Sequence, residues 1–267
     1  MQSENNEYLL DTNCFYSIGR NKSKIDKIRS LASKVTTASV AVAEIQRIED
    51  LQNDTDFRIR QAAMFALDNV TDEIYVTADL TVIPQAFGQP FDKCAKYPRE
   101  SIKTFLSAKS TVEINELIND NLKAWKADWQ PYYSNLYRKV LNYPPDSENK
   151  LRTELIISYA CHAGLFSKET YSQAKIDKGL FDRISRQALD NYTGQLDVLI
   201  SFLIKMNQTN YMNKKIDENR LFDLEFFFHM RPDDSNQVFV TKEKDLIEIF
   251  EKVNKNRILH FDSLISN

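Results

Sequence analysis

Leu9-Leu10-Asp11-Thr12-Asn13 decides how this chain is read: an apolar run of strand character stops at a carboxylate, with a hydroxyl and an amide directly behind it. In an open α/β sheet, ligands collect outside the carboxyl ends of the strands. A carboxylate at such an end offers the hard oxygen donor that Mg²⁺ or Mn²⁺ prefers. Asp after a strand is also a good helix N-cap, so a single Asp decides nothing. The question is whether acids recur at equivalent places.

They do. Val35-Thr36-Thr37-Ala38 reads as a second short strand, Ser39 as the cap of the following helix, and Glu44 falls five residues beyond that cap. Far downstream, Gln237-Val238-Phe239-Val240-Thr241 is a β-branched and aromatic run. It is followed at once by Lys242-Glu243-Lys244-Asp245 and a helical pattern through Leu246, Ile249, Phe250 and Val253. Glu243 thus repeats the placement of Asp11. Just ahead of that strand, residues 219–230 have helical length and are apolar nearly all round, which predicts a buried helix carrying Asp223. A buried carboxylate needs a cation, a hydrogen-bond shell or a raised pKa.

Taken together, these residues resemble the PIN-domain nucleases. The shared pattern is an apolar strand ending in Asp with Thr and Asn after it (Asp11, Thr12, Asn13), then Ser with Glu five residues on (Ser39, Glu44). An Asp on a buried helix follows (Asp223), and then a Val-Thr strand end with an acid two residues past the Thr (Val240, Thr241, Glu243). The third acid is Glu225 if the Asp233-Asp234 turn is not counted as an insertion, and Glu243 stands where the family more often has Asp. The resemblance covers roughly residues 7–50 and 216–265, with Arg257-Ile258-Leu259-His260-Phe261 looking like the closing edge strand.

The resemblance implies a PIN-like three-layer α/β/α fold with a short parallel sheet. It also implies divalent-metal-dependent endoribonuclease activity, such as that of a toxin of a toxin-antitoxin pair or a phage-defence effector. Asp11, Glu44, Asp223 and Glu243 would hold one or two Mg²⁺ or Mn²⁺ ions that activate water against a phosphodiester bond. Thr12, Asn13, Thr241 and Asp245 would orient ligands or water. RNA is the expected partner, single-stranded DNA the second, and a protein partner or inhibitor and a homo-oligomer stay open. A competing reading from another class is a PIN-like RNA- or protein-binding module without catalysis. A phosphatase of the haloacid-dehalogenase type needs a second Asp two residues after the first, where this chain has Asn13.

Composition agrees with an enzyme in a reducing compartment. With 267 residues, 42% hydrophobic and 27% charged, the chain can bury a full core. Cys14, Cys94 and Cys161 are odd in number and far apart, which suggests neither a disulfide framework nor a zinc site. The longest apolar stretch, residues 196–203, is too short to span a bilayer, so a cytoplasmic protein with no membrane partner is expected.

Domain organisation follows from the punctuation. Residues 56–70 carry a helical pattern and Glu73-Ile74-Tyr75-Val76-Thr77 a third strand. Pro84, Gly88, Pro90 and Pro98 then mark departure from the core. Helical patterns over about 100–120, 121–141, 147–163, 168–188 and 190–211 describe a large, mostly helical insertion. The expected division is therefore a core in residues 1–84 and 216–267 around an insertion at 85–215. That insertion holds 19 Lys and Arg against 14 Asp and Glu, a mildly basic balance that suits a phosphate backbone. Trp125, Trp129, Tyr132, Tyr133 and Tyr137 sit among Lys123, Lys126, Arg138 and Lys139, a pattern able to stack bases but more simply read as a helix packing its aromatic face. His162 and His229 read as core histidines, and Asp79 as a turn or cap residue.

Overall fold

The computed structural model describes residues 6–31, 33–47, 54–76, 97–111, 113–114, 226, 229–230, 236–254 and 257–266. Asp223, Glu225, the aromatic-basic cluster, Asp79, His162 and the helical patterns beyond residue 114 lie outside the described residues. The chain divides into two compact units. One comprises Met1–Tyr75, Lys96–Pro131 and Ser235–Asn267; the other comprises Val76–Ala95 and Tyr132–Asp234.

The first unit is built on five parallel strands in the order β3-β2-β1-β4-β5. They are β1 (Glu7–Leu10), β2 (Lys34–Ala38), β3 (Glu73–Tyr75), β4 (Gln237–Thr241) and β5 (Ile258–His260). Each falls where the residue pattern predicts a strand. β1 is central and buried at all four residues, as a strand with both faces covered must be. It pairs with β2 on one side, Tyr8 opposite Val35, and with β4 on the other, Tyr8 opposite Val238.

Around the sheet stand α1 (Thr12–Gly19), α2 (Ser23–Arg29), α3 (Ser39–Ile45) and α4 (Asp54–Val70). Then follow α5 (Glu100–Ser107), α6 (Lys244–Asn254) and α7 (Phe261–Ser266). The connections from β1 through β3 step one way across the sheet and that from β4 to β5 steps the other. Right-handed crossovers therefore assign α1 through α4 to one face and α6 to the opposite one. The direction of stepping reverses between β1 and β4, the position at which an open sheet leaves a crevice at its carboxyl end. Among the described residues no helix is long and apolar enough to cross a membrane.

Two local findings refine the sequence reading. Ser39 is the first residue of α3 rather than its cap: the N-cap position is Ala38, extended and without a side-chain cap bond. The helical pattern over 100–120 breaks at Ala108, which is extended, and Glu113 accepts the Lys109 amide at 2.9 Å, so the chain turns before continuing. α5, assigned to the insertion by its sequence, packs on α4 in this first unit. Phe57 and Phe105 meet edge to face at 5.7 Å, and Gln61 donates to the carbonyls of Phe105 and Ala108.

Gly19 ends α1 where α1 crosses α4. A Cβ there would lie 2.6 Å from the Ala62 carbonyl carbon and oxygen, and backbone cannot move aside as a flexible side chain can. Gly19→Ala is expected to cost about 1–3 kcal/mol by overpacking. A urea unfolding midpoint equal to that of the wild type would show that the two helices are not in this close contact.

The amino ends of the strands hold a buried carboxylate with its own donors. Glu7 Oε1 accepts from Thr36 Oγ1 at 3.1 Å, Tyr75 Oη at 2.7 Å and Gln237 Nε2 at 3.0 Å. Lys34 Nζ stands 3.7 Å from the other oxygen. Strands β1, β2, β3 and β4 are thus joined by one side chain, and a buried charge shared this way is compensated.

Candidate metal centre at the carboxyl end of the sheet

At the opposite end of β1, Asp11 is 1% exposed. It occupies the N-cap position of α1, yet its side chain makes no cap bond. Its Oδ2 instead accepts from Thr241 Oγ1, at the end of β4, at 2.7 Å. The same Thr241 oxygen accepts the Glu243 amide at 3.0 Å, so one hydroxyl fixes the carboxylate after β1 and the backbone turn after β4. Asp11 N donates to Val240 O at 2.9 Å, which extends the β1–β4 pairing right up to the acid. The simple reading of Asp11 as a helix cap is therefore set aside by where its oxygens point.

Two more acids are held by the residues directly behind Asp11. The Thr12 hydroxyl donates to the Glu44 carboxylate, and Asn13 Nδ2 donates to Glu243 Oε1 at 2.7 Å. The helix carrying Glu44 is anchored in turn by Arg60, whose Nη1 donates to the carbonyls of Glu44 and Ile45 at 2.7 and 3.2 Å. Asp11-Thr12-Asn13 thus acts as a unit: the first residue presents a carboxylate and the next two orient one acid each. This crossed arrangement is what the three-residue motif encodes.

The electrostatics follow from burial and repulsion. Asp11 is pushed up to about 6, chiefly by burial, with the negative charge of Glu243 adding to it and the Thr241 hydrogen bond opposing it. Glu44 is pushed up to about 8, again by burial first, with Asp11 and Glu243 both raising it and the Thr12 hydrogen bond and Arg47 lowering it. At the carboxyl end the charge of Glu243 raises both Asp11 and Glu44, and Asp11 raises Glu44 as well.

Those three acids present hard oxygen donors in a partly desolvated place, a set that suits Mg²⁺ or Mn²⁺ and does not suit softer metals. Each carboxylate is presently held on its own donor, and among the described residues no three His, Cys, Asp or Glu side chains stand together as a metal-holding group. Asp245 is exposed in the first turn of α6, where a carboxylate faces the positive end of the helix dipole. Of residues 219–230, Phe226, His229 and Met230 are described, and all three are buried, as the apolar pattern predicts.

Cys14 is also buried beside Asp11. Its thiol donates to Val240 O at 3.3 Å, and burial, helped by the Asp11 charge, pushes its pKa well up. It stays a thiol at neutral pH and serves packing, which leaves the acids as the reactive groups of this region.

Thr241 and Arg60 are the residues whose importance the motif alone understates. Thr241→Val keeps the shape and removes the hydroxyl that positions Asp11 and the Glu243 turn. A 10- to 100-fold loss of Mn²⁺ affinity or cleavage is expected from an orienting group of this kind. Isothermal titration with Mn²⁺, with wild-type affinity as the contrary outcome, decides it.

No family model, no curated protein and no solved structure matches this chain. The functional reading therefore stands on the residues and their geometry.

Proposed function

We propose that the protein is a PIN-like, divalent-metal-dependent nuclease that hydrolyses phosphodiester bonds, with RNA as its substrate and single-stranded DNA the second candidate. The observation that carries this reading is that Asp11, Glu44 and Glu243 lie near enough to one another, at the carboxyl end of an all-parallel sheet, for their charges to be felt. There, each acid raises or is raised by the others.

Asp11, Glu44 and Glu243 are the residues that would hold Mg²⁺ or Mn²⁺, and Asp223 is the fourth acid that the sequence pattern nominates. When bound, the metal supplies a Lewis acid for a phosphate oxygen and lowers the pKa of water. Thr241 keeps Asp11 aimed across the β1–β4 crevice, Thr12 holds Glu44, and Asn13 holds Glu243. The buried end of β1 limits the water around Asp11, which strengthens its attraction for a cation. Cys14, kept protonated by burial, offers no covalent route.

Purified protein incubated with total RNA and with single-stranded DNA, in Mn²⁺ or in EDTA, tests the proposal. Cleavage in Mn²⁺ alone supports it, and intact nucleic acid under every condition overturns it.

A second reading draws on one observation, the separate hydrogen-bond donor that each acid already has: a binding module in which the acids only order the sheet ends. Mn²⁺ titration separates the two. A binding module takes up Mn²⁺ no better than its acid-to-amide variant.

A further inference from the structure

Next to the acids lies a cluster of opposite character. Ser17, on α1, accepts a hydrogen bond at Oγ from Lys24 Nζ at 3.0 Å and from Lys242 Nζ at 3.3 Å. Two ammonium groups from distant parts of the chain, α2 and the turn after β4, thus share one small neutral oxygen. Like charges placed so close repel one another, and one hydroxyl oxygen does little to offset that. Lys24 is steered into this position by the Phe261 ring, 5.5 Å from its ammonium.

Among the described residues the carboxylate on the cluster is that of Asp262, half-exposed, 3.8 Å from Lys242. It leaves the group with one net positive charge. His260 lies against the same Asp262: its Nδ1 accepts the Asp262 amide at 3.2 Å and stands 3.8 Å from Asp262 Oδ2. Lys24, Lys242 and Ser17 are all partly exposed, so a ligand can reach them.

The cluster is tied to the acids by the chain itself. Lys242 lies between Thr241, which holds Asp11, and Glu243. Cys14 feels the charges of Asp11, Lys242 and Asp262 together. A cationic group bordering an acidic centre at the same sheet ends has the layout needed by a polyanion that must also approach carboxylates. A lone anion would be repelled by the acids, whereas a chain of phosphates can place one at a metal and another on the lysines.

We propose that Lys24, Lys242 and the Ser17 hydroxyl bind a non-scissile phosphate of a single-stranded nucleic acid, and so set where the strand lies relative to the acids. The assignment rests on the nuclease reading above for its ligand class. The phosphate accepts from both ammonium groups and from the hydroxyl, replacing a shared serine oxygen by separate anionic oxygens for the two lysines. Backbone contacts of this kind position a strand and carry no base preference.

The test measures binding apart from cleavage. Fluorescence anisotropy of a short labelled RNA, and of a DNA of the same sequence, is followed in EDTA over a series of salt concentrations. Wild type, Lys24→Gln, Lys242→Gln, the double variant and Lys27→Gln are compared, the last removing an exposed charge of α2 outside the cluster. The double variant is expected to bind both strands on the order of tenfold more weakly, with a salt slope reduced by about 0.7, the value for one phosphate contact on a single strand. Lys27→Gln should bind as the wild type does.

Equal binding by wild type and double variant overturns the phosphate site while leaving the nuclease reading intact. Equal weakening by Lys27→Gln overturns it too, since diffuse charge would then explain the effect. Absence of nucleic-acid binding by the wild type overturns the phosphate site, and the nuclease reading is then judged by cleavage in Mn²⁺. Thermal melts accompany each variant, and if the double variant does not fold, Lys24→Gln alone carries the comparison, because its side chain lies on α2 away from the strand pairing.

Discussion

Asp11→Asn protein is expected to cleave RNA at least about 10³-fold more slowly than the wild type, the scale on which loss of an essential catalytic group is felt. In EDTA at pH 8 it should melt at an equal or higher temperature. The two halves of this result have one cause. Asp11 is buried, and its charged form is disfavoured by desolvation and by Glu243. An amide in its place keeps an oxygen to accept from Thr241 Oγ1 and takes away the charge that Glu44 and Glu243 oppose. A carboxylate kept for the fold alone would give the reverse pattern, with lower stability and activity falling only in step with the folded fraction. Wild-type cleavage by this variant removes Asp11 from the chemistry, whatever its melting temperature.

The second large effect is a dependence of stability on pH that a divalent ion reverses. Glu44 moves from 4.5 to about 8 on folding and Asp11 from 3.8 to about 6, so the folded chain binds protons that the unfolded chain has released. Stability from these groups is therefore fully present below about pH 4 and is lost as pH rises, through about 6 for Asp11 and about 8 for Glu44. The slope is up to about 1.4 kcal/mol per pH unit for each group. In EDTA the melting temperature should fall between pH 5 and pH 8, and Glu44→Gln should flatten that fall. Saturating Mn²⁺ binds deprotonated ligands and stabilises the folded state by mass action. It should thus raise the melting temperature more at pH 8 than at pH 5. An equal Mn²⁺ shift at both pH values would mean that these carboxyls are not its ligands.

Much of the site is legible in the chain because its acids sit at punctuation. Asp11 ends an apolar run and Glu243 lies two residues past a β-branched one, so the strand ends announce them. Glu44 is reached by counting from Ser39 as a cap. The five-residue spacing holds although Ser39 begins the helix instead, because what brings Glu44 to Thr12 is the passage of α3 beside α1, not a cap bond.

Other features are set by contacts that no local pattern carries. The need for glycine at position 19 comes from the backbone of Ala62 on another helix. Ser17 reads as an ordinary helical serine until Lys24 and Lys242 are seen to converge on it. Thr241 stands in the motif as an orienting residue, but that it holds Asp11 depends on β4 lying beside β1, a pairing between segments some 230 positions apart. The break at Ala108 hides inside a continuous helical periodicity because a turn closed by Glu113 leaves the spacing of apolar residues undisturbed.

The pairing of β1 with β4 has a bearing on timing in the cell. One edge of β1 finds its neighbour soon after synthesis starts, in β2, while the other waits for residues 237–241. At typical ribosomal speeds of about 5–20 residues per second, that wait is roughly ten to forty seconds. Until then Glu243 does not exist, Thr241 cannot hold Asp11, and the proposed metal centre stays incomplete on the growing polypeptide.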